Sequence, residues 1–265
     1  MRPRFLIALA LALAAAPAAS EEEATRTALG RALDLTHAFD ERTIYWPTEE
    51  GFVLERGTEG RTDAGYWYAA HRMRLAEHGG THLDAPSHFH EGGSTAERVP
   101  LDRLIARAVV VDVREACAKD ADYAVAVADL ERFEAAHGRI PDGAALILST
   151  GFGARWPDRA RYLGTEARGP GAVAKLHFPG LAPAAARWLV AERRIAAVGI
   201  DTASIDPGRS QRFETHQILF AAEIPAFENL ARLEHLPATG ATLIALPMKI
   251  AGGSGGPLRA VAILP

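Results

Sequence analysis

Four of the chain's ten histidines fall within EHGGTHLDAPSHFH, residues 77–90, beside an aspartate, two adjacent glycines and a proline. Imidazole nitrogens and a carboxylate at this density suit zinc or manganese far better than calcium. Gly79, Gly80 and Pro86 argue against a continuous helix, and the glutamate of a His-Glu-x-x-His metalloprotease helix is missing. In an extended segment His82 and Asp84 share a face, because side chains two apart on a strand point the same way. The twin glycines let the backbone bend closely and return His78 toward them. His78, His82 and Asp84 thus form a candidate three-ligand set with coordination positions left for water and substrate. No spacing recruits His71 or His90, and Thr81 reads equally as strand filler or hydrogen-bond partner.

A second chemistry competes. Gly252-Gly253-Ser254-Gly255-Gly256 satisfies the G-x-S-x-G pattern of a serine hydrolase. That nucleophile elbow needs a helix after the serine, whereas Pro257 and the strand-like LRAVAIL follow here. A glycine turn between strands is the better reading of Ser254.

These residues must be held by a fold, and the chain outlines one. ALDLTHAF (31–38), AVVVDV (108–113), AALILSTGFG (144–153), AAVGID (196–201), ATLIALPMKI (241–250) and PLRAVAIL (257–264) read as strands. GYWYAAHRMRLAEH (65–78) alternates and reads as a strand running into the histidine cluster. ADLERFEAAHG (128–138) and LAPAAARWLVAERR (181–194) read as helices. The pattern predicts one mixed α/β domain over 21–265, with a largely antiparallel, barrel-like sheet flanked by helices.

MRPRFLIALALALAAAPAAS, residues 1–20, has early arginines, a short apolar run and small residues before an acidic start, the layout of a secretory signal peptide. Its cleavage is expected between 18 and 21, giving an exported protein, periplasmic in a Gram-negative host. The 265 residues carry a formal charge of -4 and no basic run, which speaks against nucleic acid as a partner. The apolar run is too short to span a bilayer well, so no membrane association is expected after cleavage. Cys117 is the single cysteine, so packing, metal or oligomerisation must stabilise the fold without an intrachain disulfide. It reads as a small buried side chain.

The stretch 78–88 resembles the H-x-G-T-H-x-D-x-P-x-H signature of the cyclase family, the bacterial kynurenine formamidase-like metal hydrolases. TIYWPT (43–48), VGIDTASIDPG (198–208), THQILFAAEIPAFENL (215–230) and LPMKIAGGSGGPLRAVAI (246–263) are similar to further family segments. The resemblance implies that His78, His82 and Asp84 bind one metal ion, and that Asp84 bridges to a second held by His216 and Glu228. It implies His88 as the acid–base residue and Trp46 as a pocket wall that stacks on an aromatic substrate. Taken without the family, His216 and Glu228 are an isolated histidine and glutamate with no signal. The implied reaction is hydrolysis of a small aromatic amide by a metal-activated water, with arylformamidase activity on N-formylkynurenine, a step of tryptophan catabolism, as the leading expectation. Isatin hydrolase-type opening of a cyclic amide is the alternative within the family. A periplasmic binding module with a structural metal is the reading from a different class. One or two zinc or manganese ions and a homo-oligomer, dimer or tetramer, complete the expectations.

Overall fold

The computed structural model describes residues 24–265; the signal segment read at 1–20 lies outside the described residues. Eight strands carry the architecture: β1 (Gly30–Asp34), β2 (His82–Asp84), β3 (Ile105–Asp112), β4 (Ala145–Ser149), β5 (Ala197–Ile200), β6 (Ala226–Glu228), β7 (Thr242–Pro247) and β8 (Gly255–Leu264). Three helices matter most: α1 (Val127–His137), α2 (Pro183–Glu192) and α3 (Glu214–Ala221). The order β8-β7-β3-β4-β5-β6-β2 closes because β2 also pairs with β8. The expected barrel is there, a closed mixed barrel of seven strands, with β1 added outside along β8.

Its two halves differ. β3, β4, β5 and β6 run parallel to one another, and α1, α2 and α3 supply the crossovers between them, as parallel pairs require. β7, β8 and β2 are antiparallel to every barrel neighbour. Small side chains fill much of the interior: Ala106, Ala108, Ala145, Ala197, Ala245, Ala260 and Ala262 pack with Leu83 and Phe227. The opposite face of the parallel strands, through Val109, Val111, Leu146, Leu148, Val198 and Ile200, packs under the helices. A barrel this full has no room for a ligand inside. Chemistry must sit on the outside or at a rim.

Helix ends follow the sequence. Asp129 accepts from the Ala126 backbone N–H at the start of α1, and Gly138 ends it at φ 85°. Pro183 opens α2 at a position where its missing N–H costs nothing. Cys117 is buried, as expected, and burial pushes its thiol up to about 12. No helix among the described residues is long and apolar enough to cross a membrane.

One expected strand is corrected. Residues 65–78 do not run as a strand into the cluster. Trp67–Ala69 pairs with Glu59–Arg61, and Arg72–Arg74 pairs with Val53–Glu55, in an exposed two-stranded arm. The alternation there is genuine, but neither face meets the core. The strand read at 31–38 likewise ends at Asp34.

Candidate metal centre and catalytic cavity

β2 is three residues long, and its register assembles the site. Opposite residues of paired strands share a face. Glu228 lies opposite His82, and Ala226 opposite Asp84. Leu83 points into the barrel with Phe227, so His82, Asp84 and Glu228 point outward, beneath α3. From α3 His216 reaches down to both carboxylates, its Nε2 3.1 Å from Asp84 and 3.2 Å from Glu228. The bend at Gly79-Gly80 delivers His78, whose Nδ1 lies 2.6 Å from Asp84 Oδ1. Gly80 takes φ 58°, and a Cβ on Gly79 would fall inside the Tyr45 ring. Both glycines are therefore required for this approach.

Two triples result, His78–His82–Asp84 and Asp84–His216–Glu228, each with ligand atoms within 4.8 Å of one another and with Asp84 common to both. These are the five residues that the family resemblance singled out, gathered from segments far apart in sequence. Every imidazole commits one nitrogen outward and turns the other inward. His82 donates Nδ1–H to the Gly80 carbonyl at 2.9 Å. His216 donates Nδ1–H to Asp206 at 2.6 Å, and Asp206 also accepts from the Thr215 and His216 backbone N–H groups that open α3. His78 donates Nε2–H to Ser254 Oγ at 2.8 Å, and Ser254 donates to Glu77 at 2.7 Å. Such outer partners fix the tautomer of a metal-binding histidine and raise its basicity. The donor set, three inward nitrogens around two buried carboxylates, fits a divalent cation of the zinc or manganese kind.

The charges support that fit. Burial opposes the Asp84 charge, yet His78 and His82 beside it, and hydrogen bonds from His216 and His78, hold its carboxyl well below the usual range. Burial likewise works against protonated His216, but Asp206, Asp84 and Glu228 hold its pKa well above the ordinary 6.5. His82 is raised against burial by Asp84 and Glu228, whereas burial and the Asp84 charge push Glu228 up. Protons and a cation compete for the same nitrogens.

The pH dependence follows with its sign. Raised histidines stabilise the metal-free fold below 6.5, and that contribution is lost as pH rises through their elevated values. Depressed Asp84 contributes above its ordinary 3.8 and loses its effect as pH falls through its folded value. Thermal melting at a pH above the elevated histidine values should therefore show a larger gain from added zinc or manganese than melting below 6.5. A gain independent of pH would contradict protonation of these imidazoles in the metal-free state.

All five residues line one cavity of about 470 Å³. Trp46 is on its wall, in edge contact with Phe213 at 5.9 Å and Phe178 at 6.4 Å. Phe89 packs on His216 at 4.7 Å and on Phe213 at 5.2 Å, so Trp46, Phe213 and Phe89 form an aromatic wall facing the cluster. His88 also lines the cavity and stacks on His78, centroids 3.7 Å apart, while belonging to neither triple. Burial, helped by its cationic neighbours, pushes the His88 imidazole down to about 4. His71 is remote, accepting from the Gly57 N–H in the arm, and His90 does not line the cavity.

Ser254 is closer to the site than its motif suggested. Ser254, His78 and Asp84 form a chain with the outline of a nucleophilic triad. Yet both the hydroxyl and the backbone N–H of Ser254 are directed to Glu77, and β8 follows instead of a helix. The hydroxyl orients His78. Sequence reasoning assigned no role to Asp206, Glu77, Phe89, Phe213 or Asn229. Asn229 donates to the Gly80 carbonyl that also holds His82, and accepts from Tyr162. Asp206 and Asn229 stood in quoted segments, next to or near recognised residues, but their partners are distant in sequence.

The closed mixed barrel thus carries on its outside a buried carboxylate–imidazole cluster with the donor set for a metal ion, opening on a cavity. Residues 33–207 match the family described as putative cyclase. The isatin hydrolase of Roseibium aggregatum is 33% identical over 209 residues, 76% of this chain and 77% of that protein. The kynurenine formamidase of Erythrobacter litoralis is 28% identical over 231 residues, 87% of this chain and 93% of its own. A solved isatin hydrolase bound to the product analogue thioisatinate superposes with TM-score 0.79 at 28% identity, covering 88% of this chain and 92% of that one. The chain belongs to the cyclase family.

Proposed function

We propose that this protein is a metal-dependent hydrolase that opens a cyclic amide fused to an aromatic ring, a lactam hydrolase of the isatin hydrolase type. The observation that carries the reading is the shared cavity, in which the carboxylate–imidazole cluster faces the wall of Trp46, Phe213 and Phe89. The 33% identity to an isatin hydrolase, against 28% to a formamidase, favours a ring amide over the arylformamide first expected.

Asp84 with His78 and His82 would hold one cation, and Asp84 with His216 and Glu228 a second. Bound there, a divalent cation lowers the pKa of water and polarises a carbonyl oxygen. The rest falls to side chains. Trp46 and its aromatic neighbours hold the ring flat, which orients the amide toward the cluster. Neutral His88 accepts the proton of the attacking water and passes it to the departing nitrogen. Water oxygen bonds to the carbonyl carbon, the C–N bond breaks, and an aryl amine with a free carboxylate results.

Ser254 enters as a positioning residue. Ser254→Ala should weaken metal affinity by about 10–100-fold while leaving kcat near normal at saturating metal. Loss of turnover at saturating metal, with labelling by a serine-directed phosphonate, would make it the nucleophile instead.

Absorbance assays on metal-loaded protein separate the substrates. Isatin is expected to turn over with the higher kcat/KM. A preference for N-formylkynurenine would restore the formamidase reading, and turnover of neither would favour a binding module. The 1–20 segment supports an exported enzyme, periplasmic in a Gram-negative host. An N-terminus between residues 18 and 21 in protein from native cells would bear this out, and an intact Met1 would refute it.

A further inference from the structure

The loop PGRSQRF, residues 207–213, leads into α3 and ends on a strained residue. Phe213 stands immediately before the helix at φ 50° and ψ 43°, in the left-handed region that residues with a Cβ disfavour. Its side chain offers no acceptor to the helix N-terminus, where a capping residue usually does. Asp206 fills that role from further up the loop, accepting from the Thr215 and His216 N–H groups at 3.1 Å each. Ser210 links the two. Its hydroxyl donates to Asp206 Oδ1 at 3.1 Å and accepts from the Phe213 backbone N–H at 3.1 Å. The serine is itself fixed, because its own N–H donates to the Pro207 carbonyl at 2.7 Å.

A strained backbone persists only where its surroundings over-determine it, and such residues gather at ligand clamps. Here the strain sets the direction of a ring on the cavity wall. Phe213 meets Trp46 at 5.9 Å and Phe89 at 5.2 Å and lines the cavity with them. Relaxing its φ to a negative value would turn the peptide before α3 and carry the ring off that wall. Ser210 does not line the cavity, so its hydroxyl acts on the wall from behind. Asp206 then serves both halves of the site. Its Oδ2 orients His216 in the ligand cluster at 2.6 Å, and its Oδ1 holds Ser210, which holds Phe213.

We propose that Ser210 is the positioning residue of the aromatic wall: it pins Phe213 in the left-handed conformation that presses its ring toward the substrate, and it touches neither substrate nor metal. This role rests on the aromatic-amide reading of the cavity. It assigns substrate affinity to a polar side chain outside the cavity, and it separates that affinity from metal binding, although both depend on the same carboxylate.

Steady-state kinetics of metal-loaded protein, with zinc affinity measured alongside by titration calorimetry, tests this. Ser210→Ala is expected to raise KM for isatin by about 3–10-fold, the effect of one hydrogen bond. Its kcat should stay within about threefold, because the wall holds bound substrate and transition state alike. Zinc affinity should hold, since Asp206 still accepts from His216; Asp206→Asn, by contrast, should weaken it about 10–100-fold. Ser210→Thr keeps the hydroxyl and should restore KM. Phe213→Leu raises KM by itself, and adding Ser210→Ala to it should change nothing further, the non-additivity of a pair that acts as a unit. An unchanged KM in Ser210→Ala, a loss of zinc matching Asp206→Asn, a threonine variant no better than alanine, or additive effects in the double variant would each overturn the proposal. A wild type inactive on isatin would sink the lactam reading alone, and the same comparison then runs with N-formylkynurenine, whose aryl ring meets the same wall. Turnover of neither by the wild type overturns both.

Discussion

Replacing Asp84 with alanine is expected to remove metal binding and turnover together. The carboxylate is 2% exposed and faces three imidazoles, with contacts of 2.6, 3.0 and 3.1 Å to His78, His82 and His216. It also belongs to both candidate ligand triples. Outer partners of metal ligands typically matter by 10–100-fold, so loss of the shared ligand should lower affinity beyond about 100-fold. The metal-free fold suffers as well, because breaking a buried ion pair costs roughly 3–5 kcal/mol. For a chain of this size that is a fall in Tm of roughly 6–20 °C. Isothermal titration with zinc and a melt in chelator read the two effects separately. Asp84→Ala protein that binds metal as tightly as the wild type would show that the cluster is a structural hydrogen-bond network.

His88→Ala should do something different. His88 lies on the cavity, stacked on His78, outside both triples. Its pKa near 4 keeps it neutral over the range in which a hydrolase of this kind would work, so it can accept a proton. Removing a general acid–base group costs typically 10²–10⁴ in rate. The expected result is a fall of that size in kcat on isatin, with metal content and KM little changed. An equal loss of metal from His88→Ala would move His88 into the ligand set, and unchanged kcat would transfer the proton to another group.

The cluster was legible in the sequence as far as local geometry extends. His78, His82 and Asp84 lie within seven residues, and the glycine bend followed by an extended segment dictates their common direction. His216 and Glu228 gave no local signal. Glu228 arrives through the β6–β2 register, opposite His82, and His216 through a helix that the apolar pattern of 214–221 did not announce. Both depend on tertiary pairing, and the family resemblance stood in for it. The strands and helices of the parallel half were readable from short apolar runs alternating with α1 and α2, but their parallel pairing was not, because the pattern pointed to a largely antiparallel sheet. The arm was not, because TyrTrpTyr alternation looks the same whether a ribbon faces the core or stands away from it. Ser254 shows the opposite error: the G-x-S-x-G pattern drew attention to the right residue for a different reason, its hydroxyl serving His78.

The most direct test joins metal content to turnover in one preparation. Purified protein is analysed for metals, stripped with a chelator, and titrated with zinc or manganese while isatin opening is followed by absorbance. Activity should disappear on stripping and return to saturation at one or two equivalents, with His82→Ala unresponsive throughout. Full turnover by the stripped protein, or by His82→Ala, would contradict a metal-dependent hydrolase at this site.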